Sequence, residues 1–183
     1  MEQENKKKEP LHVNQENFVD RIKDLSDNNR RLLARYAGQP YSKVTAKTLM
    51  SFYKIGVPEH VDQYKNTKEI YVYVSCLCSK YGTNKGRTFE EQLSKIYHAG
   101  DTSDSEKAKI ENILDTDWTS NGRLLRVINN YLESWSKEGI RINMGKLLYD
   151  LLHWNSPMMY SRKEWATVIA NKTVKTKKNN KED

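Results

Sequence analysis

Asp150 and His153 stand three residues apart in LLYDLLHW, a spacing that sets an acid and an imidazole on one helical face. Such a pair is half of a metal site or of an acid–base couple. A transition-metal centre takes three or four ligands, and no second Asp/His pair follows in the chain. His12, His60 and His98 fall in separate segments. Cys76 and Cys78, with one residue between them, are poorly spaced to grip a single ion, form no disulfide framework, and read as buried structural thiols. A glycine-rich phosphate loop, a G-x-S-x-G elbow and an H-E-x-x-H pair are all missing. The remaining acids are dispersed among lysines, which leaves paired-carboxylate chemistry without an anchor. The residues therefore predict no enzyme, no metal and no cofactor. Asp150 is expected to be a solvated acid beside a half-buried His153, near a helix C-terminus where a cation is favourable.

The cations are better organised. NNRRLLARY places Arg31 and Arg35 four apart on one face, with Arg30 beside them. Lys65 and Lys68 precede an aromatic-rich segment. YGTNKGRTF is a glycine-containing loop carrying Lys85 and Arg87, whose glycines let backbone approach a partner closely. Arg123 and Arg126 in GRLLRV share a face, and YSRKEW sets Arg162 and Lys163 at the start of the last helix, where backbone N–H groups also attract anions. Single surface charges do no more than solvate helix faces. Clusters at several helix starts and loops point instead to phosphate contact. The chain shows neither a sheet-borne ladder of aromatics for base stacking nor a base-reading recognition helix. The expectation is backbone contact without base readout, and its rival is an assembly protein whose cations meet acidic neighbours.

Helices must position these groups. Phe18, Ile22 and Leu25, then Leu32, Leu33 and Tyr36, follow helical spacing, with a break at Ser26-Asp27 and a stop at Gly38 and Pro40. Residues 44–56 predict another helix, and Phe89, Leu93, Ile96 and Tyr97 mark one face of a further helix ended by Gly100. A short helix follows over 108–114. Leu124 to Trp135 defines a long helix stopped at Gly139, Asn143 caps a helix over 144–154, and Ser161 is the expected cap of the last. IYVYVSCLCSKYG alternates like a strand, yet no other segment supplies a partner strand, so a buried helix is predicted. The fold class is all-α: two packed helical lobes of roughly eight to nine helices. The boundaries read as an N-terminal lobe over 15–100, a hinge over 101–106 and a C-terminal lobe over 107–170. Disordered charged tails are expected over 1–14 and 171–183.

Composition agrees with a polar, soluble profile. The chain has 183 residues, 37% hydrophobic and 30% charged, with a net charge of +7. No apolar run approaches the roughly 20 residues that span a bilayer, and the charged start lacks the apolar region of a signal peptide. A cytoplasmic protein without a membrane partner is expected.

The order of motifs carries a further reading. NNRRLLARYAGQP, SFYKIGVP, YVSCLCSKYG, GRTFEEQLSKI, DTDWTS, GRLLRVINNYL, INMGKLLYDLLHW and SRKEWATVIA together resemble the CasB family, the small subunit of the type I-E CRISPR Cascade complex. The resemblance covers about residues 18–170. It implies an all-α, non-catalytic protein that sits as a head-to-tail homodimer along the repeated backbone subunit, with the large subunit as a further partner. It also implies that the chain helps hold the guide RNA–target DNA heteroduplex and the displaced single strand of the R-loop, while base pairing reads the sequence. Arg31, Lys65, Arg126, Arg162 and Lys163 match the family's basic positions, and Lys85 and Arg87 lie in the matching loop. Tyr149 and His153 stand where many relatives carry arginine. Thr88-Phe89-Glu90 replaces a glycine-containing loop motif and sets an acid close to the expected phosphate path.

Overall fold

The computed structural model describes residues 13–83, 86–119 and 122–171. Lys85 and most of both expected tails lie outside the described residues. Nine α-helices run in order among the described residues: α1 (Val13–Ile22), α2 (Asp27–Ala34), α3 (Ala46–Tyr53), α4 (Lys65–Tyr81), α5 (Phe89–Tyr97), α6 (Asp104–Leu114), α7 (Arg123–Lys137), α8 (Met144–Leu152) and α9 (Tyr160–Ala170). Short 3-10 turns cover Tyr41–Lys43 and Glu59–Gln63. The only β-type pairing among the described residues is an isolated bridge between Arg87 and Ile142. The all-α reading holds, and α1 starts at Val13, two residues inside the expected tail.

Local chemistry explains most boundaries. The Thr45 hydroxyl accepts from the Thr48 N–H, and Thr88 with Glu91 forms a reciprocal capping box at α5. Ser103 caps α6, which therefore begins inside the expected hinge, and the Asn143 side chain accepts from the Lys146 N–H at 2.9 Å to open α8. The last helix departs from expectation. Ser161 lies inside α9 and is buried; the cap is Met159, held in the left-handed region at φ 50°. No side-chain cap compensates there, so α9 is fixed by what it packs against.

The strand-like segment settles as the central helix. From Glu69 to Cys78 every side chain of α4 is buried, so the helix is enclosed all round and shows no amphipathic period. Helices α1, α2, α3 and α8 pack against it. Tyr73 donates to the Leu125 carbonyl at 2.7 Å, which ties α4 to α7 while satisfying a buried hydroxyl. Phe18 of α1 meets Tyr71 edge-on at 4.8 Å between ring centres. A second aromatic group joins α5, α7 and α9: Phe89 lies 4.8 Å from Trp135 and is stacked on Trp165 at 5.2 Å. Helix α8 packs on α1 and α4, and α9 on α5, so helices on both sides of residues 101–106 meet.

Candidate nucleic-acid interface

Between Asp27 and Glu59 the sequence contains no acid at all. Those intervening residues, 28–58, carry Arg30, Arg31, Arg35, Lys43, Lys47 and Lys54, and they build α2, the following turn and α3. The two helices pack on each other and on α4 through Leu33 and Phe52, and the Ser51 hydroxyl donates to Asn29 Oδ1 at 3.1 Å. With the apolar sides spent inward, Arg31, Arg35, Lys43, Lys47 and Lys54 are all exposed. None of these five has an ion-pair partner among the described residues; Arg30 alone is tied, to Asp27 on its own helix. Spacing marks the three arginines but not the lysines, because the signal is the absent acid over 31 residues rather than a local motif.

The turn that ends α2 extends this surface to α7. Gly38 adopts φ +77°, and a Cβ there would come within 2.5 Å of the Asn129 side chain, so the turn closes on α7 only with glycine at that place. The resulting cleft, about 330 Å³, is lined by residues 37–40 and by Arg126, Asn129 and Asn130. Arg123, one turn before Arg126, is exposed on the rim of a neighbouring cleft between α6 and α7. The structure thus brings Arg126 beside the turn that follows Arg35, a juxtaposition of residues 91 positions apart in the sequence.

The other expected cations stand apart. Lys65 opens α4 with its side chain 81% exposed, 4.0 Å from the buried Glu69 carboxylate, whose own pKa burial raises and Lys65 pulls back. Lys68 is engaged: it pairs with Asp62 at 2.9 Å and lies over the Tyr53 ring. Arg87 is exposed, and its carbonyl accepts from the Asn143 N–H at 2.8 Å. Gly86 would carry a Cβ 2.0 Å from the Arg141 carbonyl oxygen, so this glycine serves close approach to the protein's own backbone rather than to a partner. Lys163 is exposed and has no ion-pair partner among the described residues.

Arg162 is where the geometry departs furthest from the phosphate expectation. Its side chain is 12% exposed. Nε donates to the Trp154 carbonyl at 3.0 Å, Nη2 donates to Asn155 Oδ1 at 3.0 Å and pairs with Asp117, and the guanidinium lies over the Trp154 ring. Asn155 in turn accepts from the Trp118 N–H and donates to its carbonyl. Arg162 clamps the α6–α7 connection to the start of α9, with few donors left for a phosphate.

Asp150 is likewise not the solvated acid expected. It is fully buried, and one oxygen accepts from Lys146 at 2.6 Å while the other accepts from the Trp165 indole at 2.9 Å. Lys146 also faces Glu90 at 3.6 Å and Glu164 at 3.3 Å. Burial pushes the Asp150 carboxyl up to about 7, against the pull of Lys146, and burial likewise raises Glu90. For Lys146 burial works against the charge, but Asp150 and Glu90 outweigh it and its pKa is raised. Glu90 therefore points into the protein and not at a phosphate path. His153 donates through Nδ1 to the Tyr149 carbonyl at 2.7 Å and faces the Tyr149 ring at 4.3 Å, with no contact to Asp150 beyond the helix backbone. Among the described residues no group of three or more His, Cys, Asp or Glu is placed to hold a metal ion, and no helix is long and apolar enough to cross a membrane.

No protein-family model matches the sequence, and no curated protein matches it. The fold does have counterparts among solved structures. A crystal structure of CasB from M. ruber superimposes with a TM-score of 0.65 at 22% identity, over 83% of this chain and 89% of that one. A chain of a CRISPR RNA-guided surveillance complex matches with a TM-score of 0.61 at 17% identity, over 86% of this chain and 92% of that one. The chain has the CasB fold over nearly its whole described length.

Proposed function

We propose that this chain is a non-catalytic small subunit of a type I-E CRISPR surveillance (Cascade) complex. In this reading it lies in the cytoplasm as a homodimer along the repeated backbone subunit, near the large subunit. There it binds nucleic-acid backbone and stabilises the R-loop, contacting the guide RNA–target DNA heteroduplex and the displaced single-stranded DNA. The observation that carries the reading is the acid-free stretch 28–58, with Arg31, Arg35, Lys43, Lys47 and Lys54 exposed and without an ion-pair partner among the described residues, on a fold shared with CasB.

The physical logic needs no base readout from the cations. An R-loop exchanges one duplex for another of similar stability, so modest contacts to the displaced strand and the hybrid shift the balance towards the open state. Exposed Arg31, Arg35 and Lys47 approach phosphates at little desolvation cost, and counterion release makes their contribution steeply salt-dependent. Arg162, already satisfied by protein acceptors, is left out of this surface, and Lys65, Arg87 and Lys163, which stand apart from it, are secondary contacts.

The test is R-loop formation by the assembled complex carrying Arg31→Glu, Arg35→Glu and Arg126→Glu together. Opening of a matched target should fall at least about ten-fold at physiological salt, with assembly and helicity unchanged. Unchanged target opening would instead favour an assembly subunit with no direct nucleic-acid contact.

A further inference from the structure

We infer that the cleft between the turn after α2 and the outer face of α7 receives one unstacked base of single-stranded DNA, an inference that rests on the nucleic-acid reading above. The cleft's volume of about 330 Å³ is at the lower end of the range of small-molecule sites, roughly 300–1,000 Å³. Gly38, Gln39 and Pro40 form one wall and Arg126, Asn129 and Asn130 the other.

The two walls differ in what they leave available. Asn129 is committed: its Oδ1 accepts from the Tyr81 hydroxyl at 2.9 Å, and its side chain fills the space over Gly38. Gln39 and Asn130 are exposed, and neither side chain makes a hydrogen bond among the described residues. A carboxamide carries a donor and an acceptor side by side, the pattern that matches the edge of a nucleobase. Pro40 adds a rigid apolar ring whose C–H groups a base face can rest against, beside the buried Leu125. Arg126 supplies a cation for the adjoining phosphate. No acid lines the cleft, so a cationic ligand has nothing to meet there. A base turned in from a strand whose phosphates run across Arg31 and Arg35 satisfies both amides at once.

Full-length protein is titrated with a single-stranded DNA oligonucleotide and with an oligonucleotide of equal length in which every base is removed, each at several salt concentrations. The intact strand should bind about ten-fold tighter than the abasic strand. In the Gln39→Ala, Asn130→Ala double variant, two exposed positions, that ratio should fall close to one while the salt slope of the abasic strand stays the same. A 2-aminopurine base in the strand should brighten on binding to the wild type, as unstacking relieves its quenching, and not on binding to the variant. Equal, salt-dependent affinity for both strands overturns the cleft and leaves the cationic surface standing. A ten-fold ratio that survives in the variant also overturns it, since the base is then held elsewhere. Absence of salt-dependent binding to either strand removes the cleft and the nucleic-acid reading together.

Discussion

The charges of this protein fall into two settings that differ in everything except residue type. Over residues 28–58 no acid interrupts the cations, and Arg31, Arg35, Lys43, Lys47 and Lys54 stand in water with no ion-pair partner among the described residues. At the junction of α5, α8 and α9, one lysine is enclosed by Glu90, Asp150 and Glu164 and is only 10% exposed. The first arrangement costs little to build and leaves its attraction available to an outside anion. The second carries a desolvation penalty that its internal pairing must offset, so it is sensitive to the loss of any member. Charge on the sequence does not assign a role; the number of partners inside the fold does.

Removing the centre of the enclosed group tests this most severely. Lys146→Met leaves Asp150 and Glu90 buried without their cation, and unfolding in denaturant should show a loss of about 3–5 kcal/mol. Arg31→Glu with Arg35→Glu should stay within about 0.5 kcal/mol in the same measurement. A loss below about 1 kcal/mol for Lys146→Met would erase the distinction. Next in size is Arg162→Ala, which strips donors from the Trp154 carbonyl and Asn155 and should cost about 2 kcal/mol. The folded variant should keep its affinity for single-stranded DNA, whereas a matching drop in affinity would restore Arg162 to the cationic surface.

The pH response separates the two settings further. Burial raises the Asp150 carboxyl from its ordinary range to about 7. A carboxyl that holds its proton more firmly when folded contributes stability in full below its unfolded pKa, about 4, and loses that contribution as pH rises through the folded value. Asp150→Asn should therefore gain stability progressively relative to the wild type as pH rises from about 4 to about 7, in thermal unfolding followed across that range. Glu90 shifts in the same direction and will leave part of the slope in place. A difference that stays constant with pH would mean that Asp150 does not titrate there. The smallest effect belongs to single surface cations: Lys47→Ala should weaken DNA binding a few-fold and lower the slope of log affinity against log salt by about one.

The sequence and the structure agree where one element suffices. Capping by Asn143 and the stops at Gly38 and Gly139 are local, and all appear as expected. Helix α4 was legible only by elimination, because a side chain buried all round has no period to read and the missing partner strand decided the matter. Asp150 illustrates the limit. Its lysine stands four residues earlier on the same helix, in plain view, but the indole that holds its second oxygen and the acids that share the lysine come from α9 and α5. The internal engagement of Arg162 was hidden for the same reason: its acceptors lie 8, 7 and 45 residues away. Lys43, Lys47 and Lys54 were missed differently, since no motif marks them and only the missing acids over 28–58 reveal the surface.

All four tryptophans, Trp118, Trp135, Trp154 and Trp165, are buried, and none lines the cleft beside Arg126. Intrinsic emission is therefore an inward-looking signal, blind to a strand laid across α2 and α3. Trp165, bonded to Asp150, makes that same emission an optical titration of a carboxyl raised towards neutrality.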